Sequence, residues 1–174
     1  LLPSNSRQKK VLDKVAEISG WNSDLPEGKN RGIAFHESFG SIVAQVAEIS
    51  INSEKEFSID KVFCVIDCGN YVNPDTILAQ MQSGIVFGLT AAVYGEITIE
   101  EGKIQQSNFP NYEMLKLKHM PEVTTHIMEN NEAPGGVGEP GTPPIAPALT
   151  NAIFAATGER VRSLPLKNHG FKLV

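Results

Sequence analysis

Basic residues, cysteines and long apolar runs are all scarce in this sequence. Fifteen Lys and Arg stand against 20 Asp and Glu, a formal net charge of −5. Lys9, Lys10, Lys116 and Lys118 are too scattered to form the basic stripe that a nucleic-acid surface needs, so no nucleic-acid partner is expected. The two cysteines, Cys64 and Cys68, lie four apart on an expected strand, which separates them by roughly 13 Å at about 3.3 Å per residue. That distance is too great for a disulfide, and two thiols are too few for a zinc or iron–sulfur ligand set. They read as small buried hydrophobes, and the redox compartment stays open. No apolar run approaches the roughly 20 residues that span a bilayer, and no basic-then-apolar leader opens the chain, so no membrane span is expected. The chain begins at Leu1 instead of Met, and the expectation is of a segment whose targeting signal lies elsewhere.

Glycine and proline, by contrast, are concentrated in one place. Nine of the fourteen residues from Pro134 to Pro147 are Gly or Pro. Such a segment is neither helix nor ladder-paired strand; its path is set residue by residue. A helix follows, with Ile145, Leu149, Ala152, Ile153 and Ala156 on one face and Gly158 placed as a left-handed cap. One carboxylate, Glu139, sits inside the constrained loop between Gly138 and Pro140. Glycines let another molecule approach the backbone and leave N–H groups free to donate, while prolines remove slack. If the loop holds Glu139 in a partly desolvated pocket, the carboxylate becomes a usable general base near neutral pH. The residues alone equally allow a solvated Glu139 on a loop that merely joins a strand to a helix. No Gly-Lys-Ser/Thr follows, so this is not a phosphate-binding P-loop.

The remaining chain, 174 residues of which 41% are hydrophobic, has material for one packed core. Residues 1–30 read as a helix and a surface loop: Val11, Leu12, Val15 and Ile18 form one helical face between Ser6 and Ser19, and Gly20 stops it. Residues 31–174 read as an α+β core. A β-rich run through Ile42, Val43, Val46, Ile49 and Ile51 returns through a polar turn into Lys61–Cys68 as an antiparallel pair. His36, just before that run, reads as a structural hydrogen-bonder. Asn73, Pro74 and Asp75 are N-cap, first-turn proline and dipole partner of a helix to about Val93. Gly84 and Gly88 each cost about 1 kcal/mol inside that helix, so something packs closely there. Gln80 lies one turn before Gly84 on the same face, where its amide could meet a cofactor with polar edges or simply solvent. A hairpin around Glu101-Gly102 and a strand over Val123–Met128 lead into the loop, and an extended tail ends the chain. The fold class expected is α+β, a mixed or antiparallel sheet with helices packed on one face.

The ordered set VIDCGNYVNPDTILAQMQSGIVFGL, QSNFPNYEML, MPEVTTHI and PGGVGEPGTPPIAPALTNAIFAATGERVRSLPL, with RGIAFHESFGSIVAQVAEIS before it, resembles the xanthine oxidase and aldehyde oxidoreductase family of molybdenum hydroxylases. The likeness is to the C-terminal end of the large, molybdenum-binding subunit. It implies part of a molybdopterin-binding domain, with molybdopterin cytosine dinucleotide as cofactor and [2Fe-2S] clusters in a small partner subunit. The substrate implied is an isoquinoline-like nitrogen heterocycle or an aldehyde, oxidised with water as oxygen source. By the same resemblance Glu139 is the base beside molybdenum, Gln80 hydrogen-bonds the pterin, and Gly135, Gly136, Val137 and Gly138 form part of the cofactor cradle. The family's other cofactor motifs lie in sequence outside these 174 residues, so the rest of the large subunit is an implied partner and the segment alone is expected to be inactive. The competing expectations are an aldehyde dehydrogenase of the same family and a non-catalytic module whose Pro-rich loop binds a partner in extended form.

Overall fold

A two-residue turn at Phe39-Gly40, with φ of 55° and 76°, folds the first part of the core into a hairpin. Positive φ at both central positions gives the backbone twist that matches two paired strands. The computed structural model describes residues 2–174. The hairpin strands are β1 (Lys29–Ser38) and β2 (Ser41–Ile51), antiparallel with Ser38 opposite Ser41. Only the second had been expected from the sequence. β1 lies at the sheet edge with a single fully buried residue, Gly32, so it lacks a clear period-two signal. His36 is exposed on β1, opposite Val43, and makes no side-chain hydrogen bond among the described residues. It is not the structural hydrogen-bonder expected.

β2 pairs antiparallel with β3 (Glu56–Asp67), with a bulge at Glu48/Ile49. β6 (Glu122–Ile127) and the short β7 (Lys172–Leu173) both run parallel to β3, so the sheet is mixed, as expected. A parallel return needs a crossover. Here it consists of α2 (Pro74–Val93), the small hairpin of β4 (Ile99–Glu100) and β5 (Lys103–Ile104), and two 3₁₀ turns. Asn73 caps α2 by accepting from the backbone N–H groups of Asp75 and Thr76. By length and composition α2 is long and apolar enough to cross a bilayer, which departs from the sequence expectation, but half of its apolar window is buried inside the fold.

Helices cover both faces of the sheet, not one. α1 (Arg7–Ile18) buries Val11 and Val15 against Ile42, Ala44, Val46 and Val65. On the opposite face Val43, Ala47, Cys64 and Ile66 pack with α2 and with α3 (Ile145–Thr157), which ends on Gly158 at φ 74°. An amphipathic helix announces that it has a partner, not which side of the sheet it will cover. α3 presses directly on β1: a Cβ on Gly32 would lie 2.1 Å from the Ala152 nitrogen. The tail contains a 3₁₀ turn at Leu166–His169 before β7, more structure than the extended tail expected. Cys64 and Cys68 are free and buried, and burial pushes the Cys64 thiol up to about 12, as befits an inert core residue.

Candidate functional site at the glycine–proline loop

The loop takes its path from contacts distant in sequence. The Gly135 N–H donates to the Cys68 carbonyl at 2.8 Å and the Gly136 N–H to the Phe39 carbonyl at 2.7 Å. The Ser41 hydroxyl donates to the Gly136 carbonyl at 2.8 Å. A Cβ on Gly135 would be forced to 2.7 Å from the Gly40 carbonyl, and one on Gly136 to 2.8 Å from the Phe39 Cβ. These two glycines are therefore required by the β1–β2 turn, and their N–H groups are not free to donate to a ligand, contrary to the sequence expectation. Further on the loop opens: a Cβ on Gly138 would meet nothing within 4 Å. The N–H groups of Val137, Gly138 and Glu139 make no hydrogen bond among the described residues.

Glu139 and Gln80 come together. The Gln80 side-chain amide donates to the Gly138 carbonyl at 2.9 Å, one residue from the carboxylate. Both line a cleft of about 340 Å³ with Ser83, Gly84, Phe87, Gly138 and Thr142. Glu139 itself is exposed, so these residues do not supply the desolvation that a tuned base needs. The bare helix surface beyond Gln80 is filled by the chain's own loop. A Cβ on Gly84 would lie 3.2 Å from the Thr142 hydroxyl and one on Gly88 2.4 Å from Ile145. A larger cavity, about 620 Å³, includes Tyr94, Phe109, Tyr112 and Lys167 but no residue of the loop. Among the described residues no group of three or more His, Cys, Asp or Glu side chains is placed to hold a metal ion.

Two contacts escaped the sequence reading. Gln45 is fully buried in the middle of β2 and donates through Nε2 to the Gly141 carbonyl at 2.8 Å. The Thr142 hydroxyl donates to the Gly84 carbonyl at 3.2 Å. A glutamine inside the apolar run SIVAQVAEI was the visible signal, since a buried amide needs a partner. Nearby, Asp67 at the end of β3 receives the Arg7 guanidinium through Nε and Nη2, at 2.9 and 2.6 Å, and the Asn130 amide at 2.7 Å. Burial pushes the Asp67 carboxyl up, but the hydrogen bonds of Arg7, Asn130 and the Gly69 N–H outweigh it and hold the carboxyl below its ordinary range.

The sheet is flanked by helices on both sides, and the Gly/Pro loop brings a carboxylate and an amide to one cleft edge. The same fold occurs in quinoline 2-oxidoreductase from Pseudomonas putida 86, with a TM-score of 0.66 over 72% of this chain and 17% of that one, at 18% identity. Residues 13–121 match the molybdopterin cofactor-binding domain, and the chain belongs to that family. The match includes Gln80 and stops short of Glu139. The beta subunit of isoquinoline 1-oxidoreductase from Brevundimonas diminuta is 35% identical over 170 residues, 95% of this chain and 22% of that protein. A membrane-bound aldehyde dehydrogenase of Gluconacetobacter polyoxogenes, whose name carries pyrroloquinoline quinone, is 29% identical over 167 residues, 92% of this chain and 22% of that protein. The chain thus spans about a fifth of the length of these curated relatives.

Proposed function

We propose that this chain forms the base-bearing wall of the molybdenum-cofactor site in an oxidoreductase that hydroxylates a nitrogen heterocycle or an aldehyde. The observation that carries the reading is the Gln80–Gly138 hydrogen bond, which brings the Gln80 amide and the Glu139 carboxylate to one cleft. The donor set fits a pterin dinucleotide. The unpaired N–H groups of residues 137–139 suit phosphate or pterin oxygens, and the open space at Gly138 admits close approach. When bound, the cofactor, taken to be molybdopterin cytosine dinucleotide, supplies the two-electron acceptor, with water as the source of oxygen. Gln80 orients the pterin edge, and Glu139 accepts the proton released as oxygen is transferred. Desolvation strengthens a carboxylate as a base, and the cover over Glu139 is assigned to the rest of the large subunit. A small subunit with [2Fe-2S] clusters carries the electrons away.

Substitution Glu139→Gln in the intact enzyme tests this. It should lower turnover by a factor on the order of 10²–10⁴ while molybdenum content by metal analysis stays unchanged. Turnover retained within a few-fold would sink the assignment and favour an interaction loop, which tolerates a near-isosteric change. The 174-residue chain expressed alone should hold no molybdenum and show no turnover.

A further inference from the structure

Gln45 makes an unusual contribution to the core. It is completely buried, flanked by Val43 and Ala47 on the sheet face that supports α2 and the Gly/Pro loop, while Ala44 and Val46 beside it in sequence face α1. Its Nε2 holds the Gly141 carbonyl at 2.8 Å, and its Oε1 is buried with no partner among the described residues. Its cross-strand neighbour is Cys64, and beyond that lies Thr125, whose hydroxyl oxygen is likewise buried without a partner. A residue kept only to fill the core would be apolar, because an orphaned carbonyl oxygen destabilises the folded state. The amide does, however, fasten the loop two residues after Glu139. Together with Gln80 on Gly138 and Thr142 on Gly84, it fixes the backbone on both sides of the carboxylate.

We infer that Gln45 is a positioning residue. Through the Gly141 carbonyl it holds the loop in the register that points Glu139 at the cofactor site, at a cost in core stability. This rests on the reading of Glu139 as base. A loop displaced by about 1 Å is enough to slow a proton transfer substantially.

The test is Gln45→Met in the intact enzyme, with Glu139→Gln beside it. Methionine keeps the length and removes both the donor and the orphaned oxygen. The expected result is a kcat lowered about tenfold, a KM changed less than twofold and a melting temperature little changed, since the orphaned Oε1 is removed while the buried Gly141 carbonyl loses its donor. Amide exchange measured on the cofactor-free subunit should quicken at Thr142, whose N–H donates to the Glu139 carbonyl at 3.0 Å, and not across the sheet. Unchanged exchange in that loop overturns the proposal. So does a fall in melting temperature with exchange quickened across the whole sheet, which marks an ordinary core residue. If Gln45→Met does not accumulate, Gln45→Asn, one methylene short of Gly141, is measured in the same way. Retained turnover in Glu139→Gln would defeat the base assignment alone, because loop exchange still decides whether Gln45 holds Gly141.

Discussion

Residues 133–144 and residues 97–120 are both largely irregular, yet they are built on opposite terms. The first is tied to Cys68, Phe39, Ser41, Gln80, Gln45 and Gly84, none of them near it in sequence. The second is held mostly by its own neighbours: Thr98 with Gln106, Asn111 with Gln105 and Asn108. No residue from 97 to 120 is buried, and Ile99, Phe109 and Leu117 stand 68%, 78% and 85% exposed. Irregular backbone is therefore not the same as loose backbone. The loop that carries Glu139 is as determined as a strand, whereas the arm takes most of its local shape from its own neighbours and is linked to the core at Leu115, whose N–H donates to the Thr90 hydroxyl at 3.3 Å.

Breaking the determined region should have the largest effect. Gly135→Ala drives a Cβ to 2.4 Å from the Ser41 hydroxyl oxygen and 2.7 Å from the Gly40 carbonyl, so the loop must leave the β1–β2 turn. The expected loss is about 3 kcal/mol, the upper end of ordinary overpacking, read from denaturant unfolding. Gly138→Ala, three residues on and facing open space, should change stability by less than about 0.5 kcal/mol. Equal effects at the two positions would mean that the loop is not seated as described.

The next effect is electrostatic, at the Asp67 hub where α1, the end of β3 and the segment entering the loop meet. With its folded value held below the unfolded one of about 3.9, Asp67 contributes stability that is fully present above about pH 4. That contribution is lost as pH falls through the folded value. Arg7→Met leaves the buried carboxylate with Asn130 and Gly69 only. The expected loss at pH 7 is about 2 kcal/mol, less than the roughly 3–5 kcal/mol of a fully buried pair because Arg7 is partly exposed. The difference between wild type and variant should shrink on acidification below about pH 4. A difference independent of pH down to 2 would show that the pair is not what Arg7 contributes.

How much of this could be read beforehand follows the range of the forces. α2 was legible to the residue because its start is local: Asn73 caps it, Pro74 fits the first turn and Asp75 complements the dipole. The Gly158 cap was legible for the same reason. The pairing of Gln80 with Glu139 came from the resemblance of ordered motifs, not from spacing, since 58 residues separate Gln80 from the Gly138 carbonyl it holds. β1 was missed because an edge strand carries a weak pattern and Phe39 is an unusual residue for a positive-φ turn. Gly135 and Gly136 were recognised as sites of close approach, but a glycine does not say what approaches; it is the chain's own turn. Gln45 could only be understood once β3 and the loop were laid over it.

The smallest effect belongs to the arm, and it is the one that sharpens the contrast most. Leu117 is 85% exposed and Phe109 78%, so neither contributes much burial to the fold. Leu117→Ser and Phe109→Ser should each move the stability of this chain by no more than about 0.5 kcal/mol. Both should lower self-association measured by light scattering, because each removes an exposed apolar side chain. If Leu117→Ser were to destabilise the chain as much as Arg7→Met, the arm would be part of the core in solution. The division between a loop shaped by distant partners and an arm shaped by its neighbours would then fail. A neutral stability change with reduced association would instead show that these side chains are kept for a surface, not for the fold.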